Sequence, residues 1–171
     1  MDVALSHRQF GTGQRFSHLL RPFLEEYEAV VFTMDQFVLP QLASKRIAFI
    51  APAIDPLATK NMELPADLCR RVIADSGVDP VRPLLLQVSR FDPWKDPLGV
   101  VHAYRLVKED LPAVQFVLIG AMAGDDPEGW ESLDRVEEEA ANDPDLFVFT
   151  NLSGGGSMEV NAFQRSSDGV I

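Results

Sequence analysis

Arg90 and Lys95 share one short loop, residues 89–96, which follows an apolar run and is braced by Pro93, with Pro97 just beyond it. A guanidinium offers a planar fork of donors and an ammonium a compact point charge, so the two together suit a diphosphate. Asp96 is placed to cap a helix whose first residue is Pro97. The start of that helix would add partial positive charge. The loop therefore reads as an anion cradle, with Trp94 expected to brace it by packing. Spacing alone leaves a second reading open, in which the pair are solvated basic residues in a connector. Gly-x-x-x-x-Gly-Lys is absent, and no Gly-x-Gly-x-x-Gly follows a strand, so neither nucleotide fingerprint applies.

Two further loops fall at the carboxyl ends of expected strands, where open α/β sheets bind ligands. One holds Gly120 and Met122, the other Asn151 and Leu152. Gly120 would permit close backbone approach. Either loop could line a pocket for a base, and either could simply make a turn. His7, His18 and His102 have no Cys, Asp or Glu at ligand spacing, so no metal site is expected. No Gly-x-Ser-x-Gly elbow supports serine hydrolysis.

The elements that must position these residues follow from hydrophobic periodicity. Phe16, Leu19, Leu20, Phe23, Leu24 and Tyr27 mark an amphipathic helix, and residues 29–33 and 46–50 read as short buried strands. Residues 54–65 form a connector. Leu68, Val72 and Ile73 give a helical face that ends at Ser76-Gly77. From there a strand at 84–89 leads to a helix with Val100, Ala103, Tyr104 and Val107 inward. Strand 114–120 leads to a helix marked by Trp130, Leu133, Val136 and Ala140. Strand 146–150 leads to a helix at 157–166, and a strand starts at Gly169. This alternation predicts an α/β fold with a parallel sheet, its strands 84–89, 114–119 and 146–149 buried under helices on both faces. The chain stops as a strand begins, as a piece of a longer protein would. An unpaired apolar sheet edge then predicts self-association, as in a homodimer.

Composition sets the outer limits. The 171 residues are 46% hydrophobic and 24% charged, the range of a folded globular chain. A net charge of −11 argues against nucleic-acid and anionic-membrane partners. Ten acids and one base lie between Asp125 and Asp145, which reads as a solvated helix face with its flanking loops. Cys69 is expected to be a small core residue. No apolar run reaches transmembrane length and no secretory leader is evident, so a cytoplasmic location is expected.

VSRFDPWKDP (88–97), APAIDPLATKN (51–61), AMAGDDPEGW (121–130), TNL (150–152) and EVNAFQRSSD (159–168) together resemble retaining GT-B glycosyltransferases of family 4. The nearest branch is the trehalose-forming synthases and trehalose phosphorylases. The resemblance extends from about residue 20 onward. It implies two Rossmann-like domains. Residues 1–53 would end the acceptor-side domain, 54–82 would be the interdomain linker and helix, and 83–171 would begin the donor domain. It implies a nucleoside-diphosphate glucose donor and a sugar acceptor, with no metal or other cofactor. Arg90 and Lys95 would be the catalytic residues that hold the donor diphosphate. The family's paired-glutamate motif would follow Ile171. The fragment alone would then be inactive, and a non-catalytic nucleotide-sugar-binding module remains the alternative to an enzyme.

Overall fold

A computed structural model describes residues 22–24, 26–38 and 46–171. Most of the helix expected from Phe16, together with His7 and His18, lies outside the described residues; residues 22–24 are helical. The chain divides into two units, Met1–Ile54 and Asp55–Ile171.

In the first unit, β1 (Ala29–Phe32) pairs in parallel with β2 (Arg46–Phe49), Val30 opposite Ile47. Both strands stand where short β-branched and aromatic runs predicted them, but the burial expected of them is not found: their residues are exposed or only half-covered.

In the second unit, residues 55–65 carry turns and α1 spans Ala66–Asp75. Gly77, at a φ of 83°, ends α1. Its N–H donates to the Ala74 carbonyl at 2.9 Å and the Val78 N–H to the Ile73 carbonyl at 3.3 Å. That closes the helix on its last carbonyls and lets Val78 pack with Ile73 in the core. Cys69 is buried on the same helix.

A regular alternation follows: β3 (Leu84–Val88), α2 (Pro97–Asp110), β4 (Gln115–Gly120), α3 (Pro127–Ala140), β5 (Leu146–Thr150), α4 (Ser157–Ser166) and β6 (Gly169–Val170). All strand pairs are parallel, and the sheet order is β5-β4-β3-β6. Strand addition reverses direction at β3, with β4 and β5 on one side and β6 on the other.

Side chains of a strand alternate between faces, and β4 is apolar on both. Phe116 and Leu118 join Val101, Tyr104, Leu133 and Val136 in one core. Val117 and Ile119 join Ile73, Leu84, Leu86 and Phe163 in the other. Helices α2 and α3 cover the first face, α1 and α4 the second. This is an α/β architecture with parallel sheets, as in a Rossmann-like fragment. Gln115, buried at the start of β4, donates through Nε2 to the Asp79 carbonyl at 2.8 Å. Its Oε1 accepts from the Asp79 N–H at 3.0 Å.

Four expectations need correction. Strand 146–149 is only part-buried, since β5 is an edge of the described sheet and Phe147, Val148 and Phe149 are half-covered. The buried face of α2 is Pro97, Val101 and Tyr104, while Ala103 and Val107 are exposed and Val100 is intermediate. Lys108 causes that rotation. Its stem crosses the Tyr104 ring, 5.4 Å from ammonium to centroid, and its charge pairs with Asp143 at 2.6 Å and Asp145 at 2.9 Å. A lysine thus occupies a covered position that the apolar pattern assigned elsewhere. The acidic stretch is accordingly not all solvated face, because Asp143, Asp145 and Glu139 are tied to Lys108, Arg82 and Arg105. Trp94 does not brace its loop: it is 94% exposed, and Phe91 is the aromatic ring that enters the core.

Candidate functional site

The carboxyl ends of β3, β4 and β5 open into one cleft of about 380 Å³. Its floor is apolar, from Val88, Ile119 and Val160, and its charged rim is Arg90 and Lys60. Among the described residues no acid lines it, in a chain of net charge −11. The N-terminus of α4 forms one wall through Gly156 and Ser157, and no side chain caps that helix. Free amides and the helix dipole there favour an anion. Glu159, in the first turn, lines a separate depression with Val72, Asp75 and Gly154, and its carboxylate reaches back to Gly156, where a Cβ would lie 2.6 Å from Oε2.

Arg90 leaves β3 one residue past Ser89, whose N–H still donates to the Ile119 carbonyl at 3.0 Å. The guanidinium is met by Asp92 from its own loop: Nε and Nη2 donate to Asp92 Oδ2 at 3.1 and 2.6 Å. The hydrogen bond and charge of Asp92 raise the Arg90 pKa further. The side chain remains 59% exposed, so a ligand can reach its remaining donors.

Lys95 lies outside the cleft lining. It closes a 3-10 turn, Pro93–Lys95, and its carbonyl accepts from Gln87 Nε2 at 3.3 Å. Asp96 then takes a left-handed φ of 45° and caps α2 by accepting from the Gly99 N–H at 3.1 Å. An aspartate tolerates that conformation better than most residues, at a cost of about 1–2 kcal/mol.

Gly120 and Asn151 both line the cleft. A Cβ on Gly120 would run into the Phe91 ring and lie 2.5 Å from the Ser89 carbonyl. The close approach this glycine permits is therefore with the Arg90 loop of the protein itself. Asn151 Oδ1 accepts from the Met122 N–H at 2.7 Å, tying the loops after β4 and β5 together. Met122 packs against the core below, and Leu152 is exposed away from the cleft.

Sequence reasoning missed Lys60, Gly155 and Ser157. Gly155 turns beneath Thr150, where an added Cβ would lie 2.8 Å from the Thr150 carbonyl. The signal available for it was the Gly154-Gly155-Gly156 run before a helix start. Lys60 sits in the connector, within the segment APAIDPLATKN (51–61) that carries part of the family resemblance, but was assigned no role there.

A larger depression of about 750 Å³ lies between the outer sides of α2 and α3. His102, Glu128, Glu131 and Arg135 give it mixed charge, and no strand end reaches it. Among the described residues, no cluster of three or more His, Cys, Asp or Glu could hold a metal ion. No described helix is long and apolar enough to cross a membrane.

No protein-family model matches the chain. Curated proteins do. Over 152 residues, 89% of this chain and 36% of the relative, it is 51% identical to a trehalose synthase of Rubrobacter xylanophilus. Over 156 residues, 91% of this chain and 38% of the relative, it is 44% identical to a trehalose synthase of Thermococcus litoralis. A trehalose synthase of Pyrococcus horikoshii is 43% identical over 158 residues, 92% and 38% of the two chains. The chain spans little more than a third of the length of the curated relatives it matches.

Proposed function

We propose that this chain supplies the donor side of a retaining glycosyltransferase. The enzyme would move glucose from a nucleoside-diphosphate glucose onto glucose and so form trehalose. The cleft at the strand ends carries the proposal, because the described residues that line it include two cations, Arg90 and Lys60, and no acid, and Arg90 keeps donors free beyond its bonds to Asp92. The relatives named trehalose synthase support the choice of sugar product.

In this reading the bond between the glucose anomeric carbon and the diphosphate breaks, and the diphosphate gains negative charge. Arg90 donates to its phosphate oxygens from the rim. Lys95 joins it by its solvated stem from the same loop. The N-terminus of α4 offers backbone donors opposite. Donors fixed before the reaction stabilise charge that grows in the transition state, roughly 3–4 kcal/mol for one well-placed donor. Residues 54–82 are proposed as the link to the acceptor-side domain ended by residues 1–53.

The test is product formation by the full-length protein. Trehalose and free nucleoside diphosphate from glucose plus UDP-glucose or ADP-glucose is the expected result. Trehalose made only from glucose 1-phosphate and glucose would replace this reading with a phosphorylase. Trehalose made only from maltose would replace it with an isomerising enzyme.

A further inference from the structure

Lys60 reaches the cleft from a connector, and two side chains of α4 account for its position. Asn161 is buried on α4. Its Nδ2 donates to the Thr59 carbonyl at 2.7 Å and to the Met62 carbonyl at 2.8 Å, one on each side of Lys60-Asn61. Arg165, one turn later, donates through Nε to Asn161 Oδ1 at 2.8 Å and through Nη2 to the Met62 carbonyl at 3.0 Å. The connector also binds itself. Asn61 Nδ2 donates to the Asp55 carbonyl at 2.7 Å, and the Asn61 and Met62 N–H groups donate to the Ala58 carbonyl at 2.8 and 2.9 Å. A peptide fixed at this many points presents the Lys60 stem to the cleft from a fixed backbone position. Lys60 itself is exposed, lines the cleft that Arg90 rims, and has no ion-pair partner among the described residues.

We propose that Lys60 binds a phosphate oxyanion in the cleft, and that Asn161 and Arg165 are positioning residues that hold it there. The helix that lends its N-terminus to the cleft thus also fixes, one turn further on, the cation facing it. Naming the anion a nucleoside diphosphate rests on the donor reading above. The oxyanion chemistry is shared with inorganic phosphate, so both are used as probes.

The experiment is calorimetric titration of the full-length protein with UDP, ADP and inorganic phosphate. Lys60→Ala should weaken UDP or ADP binding about tenfold or more, the scale of a charge-assisted hydrogen bond. Lys60→Arg should restore most of it, and binding of uridine should not change. Thermal melting of Lys60→Ala should match the parent, since the side chain is exposed. Asn161→Ala should cost affinity in the parent and nothing more once Lys60 is alanine. A purely structural role for Asn161 would not produce that coupling. Parental diphosphate affinity in Lys60→Ala overturns the inference and leaves the donor reading standing. Phosphate binding that needs Lys60, with no nucleotide bound by the parent, supports the lysine's role and sinks the donor reading. Binding of neither probe by the parent overturns both.

Discussion

Arg90 is held by a carboxylate of its own loop, so substitutions there separate charge from geometry. Arg90→Ala should lower turnover about a hundredfold with nucleoside-diphosphate glucose as donor, and leave the melting temperature alone. Arg90→Lys should remain poor, because a point charge cannot replace the fork that serves Asp92 and a phosphate together. Near-parental turnover in both would make the loop a plain connector. Gly120→Ala should destabilise by about 1–3 kcal/mol, from the overlap with Phe91 and the Ser89 carbonyl. Chemical denaturation measures that loss. Arg90 and Gly120 were legible in the sequence because Gly120 ends an apolar strand and Arg90 comes two residues past one. Lys60 was not, since its position comes from Asn161, about a hundred residues away, and no local pattern records such a contact. Trp94 misled for a related reason: an aromatic in a loop suggests packing, but Phe91 already fills the space beneath.

Helices α2 and α3 are joined by charges that lie partly under cover, and pH should expose this. Burial alone would raise the pKa values of Asp143 and Asp145. Hydrogen bonds from Lys108, with Arg82 on Asp145 and the Asp145 N–H on Asp143, outweigh it and hold both below the ordinary carboxylate value. Their folded-state pKa values are depressed, so the stability they add is present above the unfolded value, near pH 4, and is lost as pH falls through the folded value. Burial likewise opposes the Lys108 charge. Its bonds to Asp143 and Asp145 prevail and raise its pKa, so its contribution lasts until the pH exceeds the ordinary lysine range. Lys108→Met should cost about 2 kcal/mol at pH 7, the order expected for lost charged hydrogen bonds. The gap from the parent should narrow as pH falls below about 4 in urea titrations. A gap that stays constant with pH would mean that Lys108 contributes only its packed stem. The elements themselves were readable, since β4 is apolar without a break and Pro97 and Gly77 mark helix ends. The facing of α2 was not, because periodicity assigns every lysine to water and cannot foresee two carboxylates on the next connection.

At the scale of the whole molecule, the described residues leave much apolar surface open. In the first unit Val31 and Phe49 are each 54% exposed, and Ile50 and Phe37 are also mostly uncovered. In the second, β5 and β6 are the edges of the described sheet, and each presents unpaired backbone groups on one side. β6 pairs only through Gly169 and Val170, and Val170 and Ile171 stand exposed beside it. Parallel sheets are stable when covered on both faces, and the α/β unit satisfies this across β3 and β4 but not at its margins. Such edges take up another strand wherever one is offered, whether from further chain or from a second copy. The 171-residue chain produced alone should therefore self-associate. Light scattering should give a mass well above its 19.0 kDa, with the associated fraction rising with concentration. A lysine at position 170, placed on the open edge, should reduce association and leave Phe116, Leu118 and the central core untouched. A clean monomer over the whole concentration range would mean that the edges are protected by the chain's own residues.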